Sequence, residues 1–481
     1  MMFLPNTCKV IFYCKIKILL LLVISTLILV CYYNIETTAD GRLEIFPSME
    51  VRMSSWRDYG SVWKRFTEPH SSLNRSVSIP TTSTSILNTS TDDQHVSKSL
   101  KEIQDGPTFQ KVNDHDAWIF SAFFDNFNNT DLIRVFGIQP LLLKNPVFCH
   151  LVEGTNTYFI EGTKSHLYDW FQTRRQVFSF ECPLNEKRRP QNVSLTFNET
   201  DMPTNSLLVL YPQALQRNFT VCYSMLYNYN TPYQLVQNVE FNRVLGAEHF
   251  FLYRESVSSA VNTVLKHYQS RGFLTVIDWP IPVGEITYHG QKLIINDCVY
   301  RNRGASRYVV IQDTDEFIIP HQHDSWTELI GALNKEFEPS SKTLSEQLGT
   351  YIVQSTFYQH PLNSSEWEII KQNFSVSEED FQMFERYSLK VFSNLKRLKT
   401  HFVGERQKSI VRPETVLFND VHTPNRNRPG IANVTVSVDL ALVHHHRRWS
   451  SPEDNIVDAT SLKFKDRVLS LINQTLSLLS L

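Results

Sequence analysis

The sequence predicts an α/β domain built on a mostly parallel sheet, preceded by a β-sandwich module and by an N-terminal transmembrane helix. Three observations predict this: an apolar run near the N-terminus, a series of short β-type runs over residues 118–210, and alternating strand and helix patterns after Asn218. At 481 residues the chain exceeds one typical domain, so two folded units plus an anchor is the expected size class.

At the N-terminus, Lys9, Lys15 and Lys17 precede an apolar run from Ile18 to Tyr33, broken by Ser25 and Thr26, and no acid occurs before Glu36. With Ile16 and a snorkelling Lys17 the run approaches the roughly 20 residues that span a bilayer. Lysines before the run and none just after it set the N-terminus in the cytosol. The bulky Cys31-Tyr32-Tyr33 exit lacks the small residues of a signal-peptide cleavage site. The expected layout is a cytosolic tail over 1–15, a signal-anchor over 16–33, a luminal stem over 34–110, a β-sandwich over 111–215, a catalytic domain over 216–452 and a C-terminal helix over 453–481. Within the stem, Ser71 to Ser99 is dense in Ser and Thr and buries too little apolar surface to offset its ordering entropy.

A luminal body agrees with two further patterns. Asn-x-Ser/Thr acceptors occur at Asn74, Asn88, Asn128, Asn192, Asn198, Asn218, Asn363, Asn373, Asn433 and Asn473, all after the anchor. Cys149, Cys182, Cys222 and Cys298 follow it too, an even set that permits two disulfides in three connectivities, or four free thiols. The formal net charge of −2 provides no basic field for nucleic acid, and that class is set aside.

Trp118–Phe124, Leu132–Ile138, Val147–Val152, Thr157–Ile160, Gln176–Phe180, Val193–Phe197 and Leu207–Leu210 read as seven short strands. Their spacing suggests a sandwich, serving as a sugar-binding module or as a brace. After Asn218 the rhythm changes. Strands are expected at Phe219–Met225, His249–Tyr253, Phe273–Trp279 and Arg307–Gln312. Helices are expected at Leu235–Val244, after a Ser256 cap up to Gly272, and at Gln291–Arg303. This β-α-β series implies a parallel sheet covered by helices.

The sharpest chemical feature is Asp313-Thr314-Asp315-Glu316, just past the buried strand Arg307–Gln312. Ligands bind at the carboxyl ends of strands in open α/β sheets. Two carboxylates one residue apart there can hold a hard divalent cation, Mn²⁺ or Mg²⁺ rather than Zn²⁺. Such a cation would bridge the phosphates of a nucleotide-diphosphate sugar and offset charge on the departing diphosphate. Asp114-His115-Asp116 has the same spacing but precedes a strand, and reads as a loop. A third ligand is expected from His444-His445-His446, at the end of the strand-like run Val436–Val443, with His422 as an alternative. Lys408 and Arg412 are of the type that pairs with phosphate, or belong to a solvated basic loop. Phosphate-binding P-loops, dinucleotide glycine fingerprints and hydrolase elbows are missing from the sequence.

The ordered set Val221-Cys222-Tyr223-Ser224, Leu245-Gly246-Ala247-Glu248-His249-Phe250, Trp279-Pro280, Asn296-Asp297-Cys298-Val299-Tyr300-Arg301, Asp313 to Phe317, Lys408 to Pro413, Val421-His422 and His444 to Arg447 resembles glycosyltransferase family 92. That family includes animal and plant galactosyltransferases. The resemblance implies a GT-A fold, a Rossmann-like nucleotide-sugar-binding domain, with Asp313 and Asp315 as its metal motif. It also implies an inverting mechanism, a UDP-sugar donor, often UDP-galactose, and Mn²⁺. It agrees with a Golgi membrane protein whose catalytic domain is luminal and whose acceptor is a glycan or glycoprotein. Relatives commonly read His-Tyr-Arg where this chain has His445-His446-Arg447, which aligns His445 with the family histidine and leaves His444 as an alternative.

Glu366 and Glu368 flank Trp367 and are candidates for the general base that takes the acceptor proton. The competing reading is a helix start capped by Ser364 or Ser365. A rival function is a membrane-tethered carbohydrate-binding protein with an inactive transferase fold.

Overall fold

The computed structural model describes residues 33–37, 43–47, 108–127, 130–169, 171, 173–185, 187–337, 347–399, 402, 404–447 and 455–479. The tail, nearly all of the anchor, most of the stem and the acceptors Asn74, Asn88 and Asn128 lie outside them. Two units are distinguished, Met1–Thr89 and Ser90–Leu481. In the first, Tyr33–Thr37 pairs antiparallel with Leu43–Pro47.

The second unit has seven strands, β1 (Trp118–Phe127), β2 (Thr130–Pro140), β3 (Val147–Glu153), β4 (Asn156–His166), β5 (Arg175–Pro183), β6 (Asn192–Thr196) and β7 (Leu207–Leu210), after a two-residue strand, Gln110–Lys111, that pairs with β1. They follow the order β1-β2-β5-β4-β3-β6-β7, and β7 returns to pair in parallel with β1, Val209 opposite Ala122 and Leu210 opposite Phe123. The sheet is thus a closed seven-stranded barrel. Its filling includes Ile119, Ala122, Val135, Phe180, Val193, Leu195 and Phe197, all buried. The Cys149–Cys182 disulfide links β3 to β5.

The chain then builds β8 (Arg217–Leu226), α1 (Pro232–Leu245), β9 (His249–Arg254), α2 (Ser259–Ser270), β10 (Leu274–Asp278), α3 (Gln291–Arg301) and β11 (Ser306–Gln312). β8 pairs in parallel with β9 on one side and β11 on the other, and β9 pairs in parallel with β10. The path runs outward from β8 to β10, and α3 then carries it back across to β11. A topological switch point therefore lies between β8 and β11, where a crevice opens at the strand carboxyl ends. Helix α2 starts at a Ser258 cap, whose hydroxyl accepts from the Val261 amide, and not at Ser256. The Cys222–Cys298 disulfide ties β8 to α3.

The remaining strands of the two main sheets are β12 (Glu316–Pro320), β13 (Leu348–Val353), β14 (Ser355–His360), β15 (Lys396–Leu398), β16 (Lys408–Val411), β17 (Ala432–Thr435), β18 (Ala441–His445) and β19 (Asn455–Val457), while Val416–Asn419 and Pro424–Asn427 pair with each other in a separate two-stranded sheet. The first sheet reads β10-β9-β8-β11-β16-β13-β17 and the second β12-β18-β14-β15-β19. A C-terminal helix, Lys465–Leu479, packs on α1, with the Thr475 hydroxyl donating to Glu240 at 2.7 Å.

The expected fold class is corrected on two counts, the sandwich and the plain GT-A sheet. The β-sandwich is a closed barrel: all seven predicted strands exist, but the β7–β1 pairing joins the two ends of one sheet. Inward-outward alternation along each strand is the same in a barrel and in a sandwich, so the pattern could not separate them. The α/β unit is not a plain GT-A Rossmann-like domain, because β16 runs antiparallel to β11 and to β13, and a second mixed sheet follows. Among the described residues no helix is long and apolar enough to cross a membrane. The expected span 16–33 lies outside those residues except for Tyr33, which opens a strand.

Candidate active site

β11 ends at Gln312 and β12 starts at Glu316 in the other sheet, so Asp313-Thr314-Asp315 is the bridge between the two sheets. Helix α1 holds that bridge. Gln234 Nε2 donates to Thr314 Oγ1 at 3.3 Å. One turn further on, Asn238 accepts from Gln312 Nε2 at 3.3 Å and donates to the Glu316 carbonyl at 2.9 Å. Residues four apart share a helix face, which explains the polar side of a helix that is buried nearly all round.

Each aspartate is linked to Glu316 through a basic side chain, Lys408 or His445. Lys408 Nζ lies 2.9 Å from Asp313 Oδ2 and 3.0 Å from Glu316 Oε2. His445 Nε2 lies 3.4 Å from Asp315 Oδ2, and its Nδ1 3.3 Å from Glu316 Oε1. The register sets this up, since Glu316 is directly opposite His445 in the β12–β18 ladder. Lys408 and Glu316 are buried, while Asp313 and Asp315 are each about one-third exposed. The second oxygen of Asp313 accepts from Ser224 Oγ, at the end of β8. Ser224 in turn accepts from Gln291 Nε2, at the start of α3, at 2.6 Å.

Burial opposes ionisation of Asp313, but the Lys408 ammonium and the Ser224 hydroxyl outweigh it and hold the carboxyl at about 2. Glu316 shifts the other way: burial raises it against the pull of Lys408. Burial lowers His445, yet Glu316 and Asp315 outweigh it and raise the imidazole above its ordinary value.

A cleft of about 250 Å³ opens here, lined by Ser224, Met225, Leu226, Tyr227, Tyr229, Asp313 and Thr314, at the switch point. Its far wall is braced by His289, whose ring lies 4.5 Å from that of Tyr227 and whose Nδ1 is 2.9 Å from Glu255 Oε2. Tyr288 and His289 both adopt left-handed backbone conformations, φ 42° and 52°. Non-glycine residues rarely do so, and such strain concentrates at functional sites.

The structure brings together Asp313, Asp315, His445 and Lys408. It does not bring Arg412 there. Lys408 opens β16 and Arg412 follows its far end, hydrogen-bonding the Leu348 carbonyl at 3.4 Å. Lys408 itself is buried as a counter-ion and is not a solvated basic loop. His422 Nδ1 donates to the Gln407 carbonyl at 3.0 Å, and burial with Lys408 nearby lowers its pKa to about 4. His444 faces away, beside Tyr358. His446 is buried with neither ring nitrogen hydrogen-bonded.

Glu366 and Glu368 belong to a helix, Ser364–Phe374. Asn363 caps it: its Oδ1 accepts from the Glu366 amide at 2.9 Å, while Glu366 Oε2 accepts from the Asn363 amide at 2.7 Å. Glu366 also pairs with Lys396 at 2.8 Å and Glu368 with Lys371 at 3.5 Å. Trp367 is buried against Phe381 and offers no ring face to a sugar. The helix-start reading holds, with Asn363 and not Ser364 or Ser365 as the cap.

The donor set fits a hard divalent cation. Two carboxylates, each about one-third exposed, and one imidazole are ligands suited to Mn²⁺ or Mg²⁺. Glu316 stands behind His445 as the outer carboxylate that orients a ligand histidine, and His445 Nδ1 has no hydrogen bond of good geometry.

The sequence profile of glycosyltransferase family 92 matches residues 217–478, from β8 into the C-terminal helix. The chain belongs to glycosyltransferase family 92. The matched segment of this family 92 protein contains the whole candidate site and excludes the barrel. The β-1,4-galactosyltransferase galt-1 of Caenorhabditis elegans is 24% identical over 381 residues, covering 74% of this chain and 80% of that protein. Galactan β-1,4-galactosyltransferase GALS2 of Arabidopsis thaliana is 27% identical over 161 residues, 31% of each chain. Glycosyltransferase family 92 protein F13G3.3 of C. elegans is 25% identical over 118 residues, 22% of this chain and 23% of that one.

Sequence reasoning missed Ser224, Gln291 and Glu316 as site residues. Ser224 was within reach of the strand-end rule, since it stands at the carboxyl end of the first parallel strand. Glu316 was not, because its role depends on which strand pairs with β12.

Proposed function

We propose that this glycosyltransferase moves galactose from UDP-galactose to a glycan or glycoprotein acceptor, with inversion and with a divalent cation, Mn²⁺ or Mg²⁺. The supporting observation is the convergence of Asp313, Asp315 and His445 beside a cleft at the switch point of the sheet. The names carried by galt-1 and GALS2 support galactose as the hexose.

Asp313, Asp315 and His445 would hold the cation. When bound, it supplies positive charge that offsets the charge gathering on the departing diphosphate. Tyr227 and Tyr229 line the cleft where the nucleotide would sit, and their ring faces suit stacking on a base. Lys408 is spent on Glu316 and Asp313, so its work is to keep Asp313 ionised and aimed, not to touch phosphate. The acceptor hydroxyl attacks the anomeric carbon opposite the diphosphate, one C–O bond forming as the other breaks, and its proton passes to a base. Glu366 is engaged in a helix cap and with Lys396, and Glu368 with Lys371, so neither is assigned that role.

The two disulfides support residence in an oxidising lumen, and we place the protein in the Golgi. Asn198, Asn218, Asn363, Asn373, Asn433 and Asn473 are exposed and Asn192 half-buried, which supports glycosylation there.

The test is a panel of UDP-sugars with purified protein and Mn²⁺, read as UDP release and as transfer. UDP-galactose is expected to be turned over fastest, and Asp313→Asn and Asp315→Asn to lose at least about 100-fold. Undiminished transfer in either variant removes the metal assignment. Glycan binding with no UDP released from any donor favours the inactive, carbohydrate-binding alternative.

A further inference from the structure

Consecutive residues of a strand face opposite sides of its sheet. On β18, His445 turns toward Asp315, so His444 turns to the other face. There it is fully buried, and one ligand atom from each of His321, His444 and Asp458 lies within 4.8 Å of the others. His321 follows β12 and Asp458 follows β19, so three segments distant in sequence meet. His321 and Asp458 also line a cavity of about 520 Å³.

The hydrogen bonds leave two ring nitrogens unaccounted for. The Tyr358 hydroxyl donates to Asp458 Oδ2 at 2.9 Å. A hydroxyl has one proton, so Tyr358 can only accept from His444 Nε2, also 2.9 Å away. His444 Nε2 therefore carries the hydrogen and Nδ1 keeps its lone pair. That Nδ1 is buried without a partner, as is Nε2 of His321. Buried polar atoms are normally satisfied, and an orphan calls for an explanation such as an ion.

We infer that His321, His444 and Asp458 form a second divalent-metal site, of the type that takes Zn²⁺. Two imidazoles and one carboxylate, with a fourth position for water, are a zinc donor set. It is richer in nitrogen than the Asp313–Asp315 site, so the two select different ions. Asp458 also accepts from Arg397 Nε at 2.8 Å, the Thr460 amide at 3.1 Å and the Thr460 hydroxyl at 2.6 Å. A metal takes the place of one of these contacts, and the rest hold the carboxylate from outside. The ion clamps β12 to β18 and to the chain after β19, and so stiffens the strand that presents His445. An anion is the weaker reading, because the Asp458 carboxylate would repel it and Arg397 already pairs with Asp458.

Zinc content and melting temperature of the purified full chain test this without reference to transfer. Wild type and Asp315→Asn should retain one zinc and gain stability when Zn²⁺ is added; His321→Asn should do neither. Zinc kept by Asp315→Asn is counted apart from any ion at the first site. A His321→Asn protein that merely misfolds is distinguished by His321→Cys, which should bind Co²⁺ with a sulfur-to-cobalt absorption band that wild type lacks. Equal zinc in wild type and His321→Asn, no such band in His321→Cys, or stabilisation by inorganic phosphate and not by Zn²⁺ overturns the assignment.

Discussion

Lys408 Nζ stands 2.9 Å from Asp313 Oδ2, and this pairing decides what the basic residue that opens β16 can do. The ammonium is buried and also serves Glu316. Removing one partner of a buried ion network strands the other charge, which costs about 3–5 kcal/mol. Lys408→Met is therefore expected to lower the urea midpoint by that equivalent and to abolish transfer. A solvated phosphate-binding lysine would give the opposite pattern, normal stability with a raised KM for the donor.

Asp125, on the barrel, accepts from Arg303 Nη1 of the α/β unit at 2.7 Å and from Arg134 Nε at 3.1 Å, and also pairs with Arg428. Burial opposes its ionisation, but Arg303, Arg134 and Arg428 outweigh it and hold it at about 2. Its folded pKa is below the unfolded value of about 4. The unfolded state therefore binds the proton more readily, and the stabilisation is full above about pH 4 and is lost as pH falls toward 2. Acid unfolding followed by tryptophan fluorescence should show about 2–3 kcal/mol titrating away in that window. In Asp125→Asn that component of the slope should vanish.

The Cys222–Cys298 bridge closes a loop with a sequence separation of 76 and anchors the strand that carries Ser224 to the helix that begins at Gln291. Loop-closure entropy makes such a bridge worth about 4 kcal/mol. Paired Cys222→Ala and Cys298→Ala substitutions should lower the melting temperature and weaken donor binding together, measured by calorimetry and by donor KM. Barrel substitutions at Cys149 and Cys182 should lower the first without the second.

Glu366→Gln and Glu368→Gln should leave kcat unchanged across the pH profile, since one carboxylate caps a helix and the other is a surface partner of Lys371. A loss of the basic limb in either variant would restore that residue as the catalytic base.

Much of the fold was readable from residue patterns because those patterns are local. The seven barrel strands, the three crossover helices and the strand before Asp313 each announce themselves through periodicity, caps and glycines within a few residues. The Asp-x-Asp turn was readable for the same reason: its paired carboxylates and its place after a strand are both sequence-near facts. The misplacements were non-local. Ser224, Gln291 and Glu316 join the site through contacts across 89, 67 and 129 positions of sequence, and no window of the chain contains both partners.

The chain order of apolar and polar residues determined which segments become strands and helices, which family the protein belongs to, and where acids gather. Tertiary structure alone decided that the first sheet closes on itself, which cysteines pair, that His445 and not His444 faces Asp315, and that Lys408 is interred. The reason is physical. Periodicity reports which side of a segment is buried, whereas strand order and register report what it is buried against, and those are settled only when distant segments compete for the same hydrogen bonds and the same core.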